Sequence, residues 1–160
     1  LAERNLPNAA VFISPTPPAG VRTRTAARFW RGFGVARKLG LVPRALPPNR
    51  ALTDYLAFNC VPAEHRRAAW KNMVHESREV FADFDTHTID EARITIPVLT
   101  VAAKRDRLVP ANLVRLTARK YEKIGGAFKE YADHAHWLYA EPGWEKPAQD
   151  ILDWVQSATA

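Results

Sequence analysis

Residues 94–110 read ITIPVLTVAAKRDRLVP, and this stretch decides the fold. From Ile94 to Ala103 the run is almost continuously apolar, with Pro97 near its beginning. A run this uniform predicts a strand covered on both faces, as strands of a parallel sheet are. Lys104-Arg105-Asp106-Arg107 ends it, and Pro110 stands where a helix accepts proline, in its first turn. Leu113, Val114, Tyr121 and Ile124 give that helix one apolar side, and Gly125-Gly126 predicts a left-handed C-terminal cap. Ala127 to Tyr131 reads as a second strand, followed by a loop from Ala132 to Gly143. A last helix, from Trp144 or Pro147 to Ser157, would bury Ile151, Leu152, Trp154 and Val155.

Two strands joined by a helix of this length should be parallel, with a right-handed crossover. Toward the N-terminus, Ala9 to Ser14 (AAVFIS) is another short apolar run, stopped by Pro15, Pro17, Pro18 and Gly20. It predicts a further strand of the same sheet, buried on both faces. The segment from Val21 to Asp90 reads instead as helices broken at Gly40, Pro43, Pro47-Pro48 and Pro62. The longest of them is expected over Arg66 to Phe81, with Trp70, Met73, Val74, Val80 and Phe81 near helical spacing. The fold class is therefore α/β: about three parallel strands with flanking helices, formed by residues 1–20 and 93–160. Residues 21–92 form a helical insertion between consecutive strands.

The composition bounds the function. A chain of 160 residues with 47% apolar content is long enough to bury about 70% of the surface its unfolded form exposes. Charged residues make up 25% and aromatics 10%, which excludes intrinsic disorder for most of the chain. No apolar stretch approaches a membrane span. A single cysteine, Cys60, excludes an internal disulfide framework and a multi-cysteine metal site. The opening residues LAERNLPN have no basic-then-apolar signal pattern, so the expected compartment is cytoplasmic. The only methionine is Met73, so a processed or truncated piece is expected.

The net charge of +6 has a definite location. Arg22, Arg24, Arg28, Arg31, Arg37, Lys38, Arg44 and Arg50 lie in a stretch without a single acidic residue, interleaved with Phe29, Trp30 and Phe33. No nucleic-acid-binding motif accompanies them, so the expectation is a solvated helical face rather than a nucleic-acid site.

In an open parallel sheet, functional groups gather at the carboxyl ends of the strands. Those ends carry Asp106 after one strand and Asp133, His134 and His136 after the next. An aspartate beside a histidine is what a nucleophile–His–acid site requires. The acid fixes the imidazole tautomer, and the other ring nitrogen takes the nucleophile's proton.

At these residues the chain resembles the α/β-hydrolase fold family. The resemblance rests on VLTVAAKRDRLVP, on DHAHWLYAEPGWEKPAQDILDWV, on SPTPPAG after the first strand, and on HESREVFAD, which is similar to part of a cap. It covers nearly the whole chain, as the C-terminal half of that family. The resemblance implies that the catalytic acid falls on Asp106 and the catalytic base on His136, since a small residue, His and Trp in succession match the pattern around the base. It implies a helical cap over residues 21–92, with Phe29, Trp30, Trp70, Phe81 and Trp137 as candidates for lining a pocket for a small-molecule substrate. No metal or organic cofactor is implied.

The chain departs from the family at the nucleophile, which usually sits in a G-x-S-x-G elbow. Ser14, Ser77 and Ser157 are the only serines, and neither they nor Cys60 have such glycine flanks. The elbow and the oxyanion-forming loop are therefore expected upstream of Leu1, and this chain alone should be inactive. A second expectation, from a different class, is a non-catalytic interaction module. Its first strand would be an open edge for another chain, and residues 22–50 would dock an acidic partner.

Overall fold

The structure is a computed structural model and describes residues 1–21, 35–86 and 88–160. In chain order, its strands are β1 (Ala10–Ile13), β2 (Ala45–Leu46), β3 (Glu76–Ser77), β4 (Val98–Ala103) and β5 (Ala127–Tyr131). Its longer helices are α1 (Arg50–Leu56), α2 (Ala63–Lys71), α3 (Arg78–Thr86), α4 (Ala111–Glu122) and α5 (Glu145–Thr159).

β1, β4 and β5 form one parallel sheet in the order β1-β4-β5. The register runs from Ala10 opposite Val98 to Ile13 opposite Val101, and from Leu99 opposite Ala127 to Ala103 opposite Tyr131. Every residue of the central β4 is buried. Its alternating side chains divide between two layers, as the two-residue strand period requires. Ala102 packs with Val109, Ala111, Leu113 and Val114 at the start of α4. Leu99 and Val101 pack on Tyr131 and Leu138, backed by Ile151 and Trp154 of α5. One helix thus covers each face of the sheet.

α4 stops where the two glycines predict. Gly125 has φ of 77°, and the Gly126 amide donates to the Tyr121 carbonyl at 2.8 Å. Gly126 also has no space for a side chain, because a Cβ there would lie 2.6 Å from Tyr121 Cβ.

The structure departs from the sequence expectations at several points, and Leu152 of α5, expected to be buried, is 48% exposed. β1 is only partly buried, and Ile13 is 38% exposed. It pairs with β4 alone among the described strands, so its neighbours, not its apolar residues, set its burial. β4 begins at Val98 rather than Ile94, because residues 91–93 form a helical turn capped by Asp90. Pro97 has no N–H to extend the ladder inward, although its carbonyl accepts from Ala10 at 2.9 Å.

The single helix expected over 66–81 is two helices. α2 ends at Lys71, and β3 pairs with β2 as an antiparallel ribbon before α3 begins. Val74, which fitted the helical spacing, is 78% exposed and has no apolar face to join. The Ser77 hydroxyl accepts from the Glu79 amide at 3.2 Å, which favours a fresh helix start there. No helix among the described residues is long and apolar enough to cross a membrane.

Candidate active site

The loops that leave β4 and β5 run side by side beyond the sheet. The Lys104 amide donates to the Tyr131 carbonyl and the Arg105 amide to the His134 carbonyl, both at 2.9 Å. These bonds continue the parallel ladder and fix the two loops relative to each other before any side chain is considered. The chain then turns at Asp106. One carboxylate oxygen, Oδ1, accepts from the amides of Leu108 and Val109, each at 2.8 Å. Such a local side-chain-to-backbone turn is a common use of aspartate. Here it also leaves the second oxygen, Oδ2, facing His136.

That oxygen lies 2.9 Å from Nδ1 of His136. The Asp106 side chain is fully buried, whereas the His136 side chain is 22% exposed. A carboxylate only accepts, so the hydrogen of the neutral imidazole is placed on Nδ1 and Nε2 keeps its lone pair. The arrangement can therefore take up a proton at Nε2 and stabilise the resulting imidazolium through Asp106.

Residues of α1 and of the segment after it brace the acid loop. Asn59 Nδ2 donates to the Arg105 carbonyl at 3.0 Å, and the Arg107 guanidinium lies 4.7 Å over the Tyr55 ring. Phe58, 1% exposed, packs its ring 4.3 Å from that of Trp137 and 6.4 Å from that of Trp70. Arg105 also reaches Asp133 at 2.9 Å, but both side chains are exposed, so this pair contributes about 0–1 kcal/mol. Behind the loop, the Tyr131 hydroxyl donates to Asp150 at 3.0 Å. Burial, and then the Asp150 carboxylate, push the Tyr131 phenol above its ordinary value. Lys129, hydrogen-bonded to Asp150, holds that carboxyl below the usual range, with smaller help from Tyr131 and Lys146.

The expected site residues are distributed as follows. Asp106 and His136 meet, whereas His134 turns into the interior beside Glu141. Trp70 and Trp137 share one apolar cluster with Ala57, Phe58 and Val61. Trp137 also lines an open groove with His65, Ala69, Tyr139 and Trp144. Phe81 lies in α3. Phe29 and Trp30 lie outside the described residues, as do Arg22, Arg24, Arg28 and Arg31 of the basic stretch. Ser14, at the end of β1, has φ of 43° and donates its amide to the Val101 carbonyl at 2.9 Å, and Pro15 follows it without an N–H. Ser77 is in β3 and Ser157 in α5.

Sequence reasoning did not single out Glu141, which is 2% exposed and whose Oε2 accepts from the Ala135 amide at 2.7 Å. Its one signal was position, a lone carboxylate after Leu138-Tyr139-Ala140 and before Pro142-Gly143.

No family model and no curated protein matches the chain. Solved structures do. A monoacylglycerol lipase from Paleococcus ferrophilus is 18% identical, with a TM-score of 0.68, and the match covers 98% of this chain and 62% of that one. A methylesterase from Arabidopsis is 12% identical, with a TM-score of 0.65 over 93% of this chain and 59% of its own. Tomato methylketone synthase I, solved with 2-tridecanone, is 16% identical, with a TM-score of 0.64 over 94% of this chain and 62% of its own. At these identities the likeness is one of fold. The chain has an α/β-hydrolase fold and spans about three fifths of the length of the structures it matches.

Proposed function

We propose that this chain carries the acid and the base of a nucleophile–histidine–acid hydrolase acting on an ester, amide or similar bond of a small molecule. The observation that supports it is the 2.9 Å contact between Asp106 Oδ2 and His136 Nδ1 at the carboxyl ends of adjacent parallel strands. His136 Nε2 takes the proton of the attacking nucleophile and passes it to the leaving group. It then activates water to release the covalent intermediate. Asp106 holds the ring and stabilises its charged form throughout. An ester is the favoured bond, since a monoacylglycerol lipase and a methylesterase are among the proteins with this fold.

The nucleophile is assigned to a G-x-S-x-G elbow roughly 10 to 20 residues before Leu1, one helix length away. Residues 21–92 act as a cap, and Trp70 and Trp137 face the substrate side. β1 takes its second neighbour from the preceding segment or from another chain. Without an elbow and the oxyanion donors it would bring, the 160-residue chain is expected to be inactive.

The test is a fluorophosphonate serine probe applied to this chain and to a form extended upstream. The extended form should label, and His136→Ala should abolish labelling. An extended form that never labels overturns the serine-hydrolase reading. Labelling of the 160-residue chain alone overturns the assignment of the nucleophile.

A further inference from the structure

Glu141 is a buried carboxylate with little to keep it buried. Its Oε1 has no hydrogen-bond partner among the described residues. The His134 ring nitrogen Nδ1 lies 3.3 Å from Oε2, within ion-pair distance, yet makes no hydrogen bond of acceptable geometry. Removing a carboxylate from water is costly, and the packing alone would be served by an apolar side chain. What the carboxylate does hold is the Ala135 amide, at 2.7 Å. A hydrogen bond to a charged acceptor is shorter and stronger than one between neutral groups.

Ala135 is fully buried and immediately precedes His136. Its neighbour His134 is tied at the carbonyl to Arg105, one residue before Asp106. The backbone entering His136 is thus gripped from two sides. The Arg105 amide sets its distance from the acid loop, and Glu141 sets the orientation of the peptide.

We infer that Glu141 is a positioning residue for His136, acting through the Ala135 amide to keep Nδ1 in register with Asp106. This rests on the acid–base reading of Asp106 and His136. His134 fills the space beside the carboxylate and is not itself the anchor.

The experiment is histidine side-chain and backbone amide NMR on the full chain, which needs no turnover. In the wild type, His136 should show an Nδ1–H tautomer that Asp106→Asn removes. If Asp106→Asn leaves that signal unchanged, the acid–base reading itself fails, independently of Glu141. Glu141→Ala should lose the Nδ1–H signal of His136 while the fold persists. Glu141→Gln, which keeps an acceptor, should restore it and move the Ala135 amide proton upfield. Val114→Ala, a core change in α4, should leave the His136 signal in place. A folded Glu141→Ala chain with the wild-type signal overturns the inference, as does equal loss in Val114→Ala. Where Glu141→Ala does not fold, an unshifted Ala135 amide in Glu141→Gln overturns it.

Discussion

Phe58 and Trp137 pack with ring centroids 4.3 Å apart and planes tilted by 56°, which ties the residue after His136 to the segment following α1. Phe58 is 1% exposed and also meets Trp70. Phe58→Ala would leave a cavity between two indoles, and it should cost about 3–5 kcal/mol in urea unfolding. Phe58→Leu should recover much of that loss. An alanine variant within about 0.5 kcal/mol of wild type would mean the indoles collapse onto each other.

Asp106→Asn should separate chemistry from stability. The amide oxygen can still accept from Leu108 and Val109, so the turn survives. Its NH2 then faces His136 Nδ1 and favours the opposite tautomer. In the upstream-extended form, ester hydrolysis should fall about 10³–10⁴-fold. The melting temperature of the chain should change little. A loss of activity smaller than tenfold would count against the acid role.

Alkaline pH should weaken the fold through Tyr131. Its phenol is raised in the folded state by burial and by Asp150, so the unfolded chain releases its proton first. The associated stability is fully present below the ordinary tyrosine value near 10 and is lost as pH rises through the folded value. Tyr121 and Tyr139, raised chiefly by burial, act in the same sense. Denaturant midpoints should therefore decline above pH ~10. Tyr131→Phe should reduce the slope, and an unchanged slope would remove Tyr131 from the account.

The two glycines after α4 should differ in why they resist substitution. Gly125→Ala meets open space but must hold φ of 77°, a strain of about 1–2 kcal/mol. Gly126→Ala would set its Cβ 2.8 Å from the Tyr121 carbonyl oxygen and 2.6 Å from Tyr121 Cβ. Gly126→Ala should give the larger drop in melting temperature, since backbone must move to admit it.

The β4-α4-β5-α5 unit was legible because its signals are local: uniform apolar runs, Pro110 at a helix start, Gly125 at a helix end. That Asp106 and His136 lie at adjacent strand ends follows from the same unit. The partial burial of β1 was not legible, because it depends on how many strands flank it. The β2–β3 ribbon is two residues long on each side, too short for any period to register. Glu141 was missed because its partner is a backbone amide that only the folded loop presents.

β1 and β4 are hydrogen-bonded neighbours, yet everything from Ser14 to Pro97 lies between them in the chain. Asp106 and His136, by contrast, fall within one passage from β4 to the loop after β5, braced from the interposed segment by Tyr55, Phe58 and Asn59. Loop-closure entropy rises only slowly with length, so the interposed segment can lengthen or shorten away from those braces without disturbing that passage. Evolution can thus change the rest of that segment while the contact between Asp106 and His136 is inherited intact.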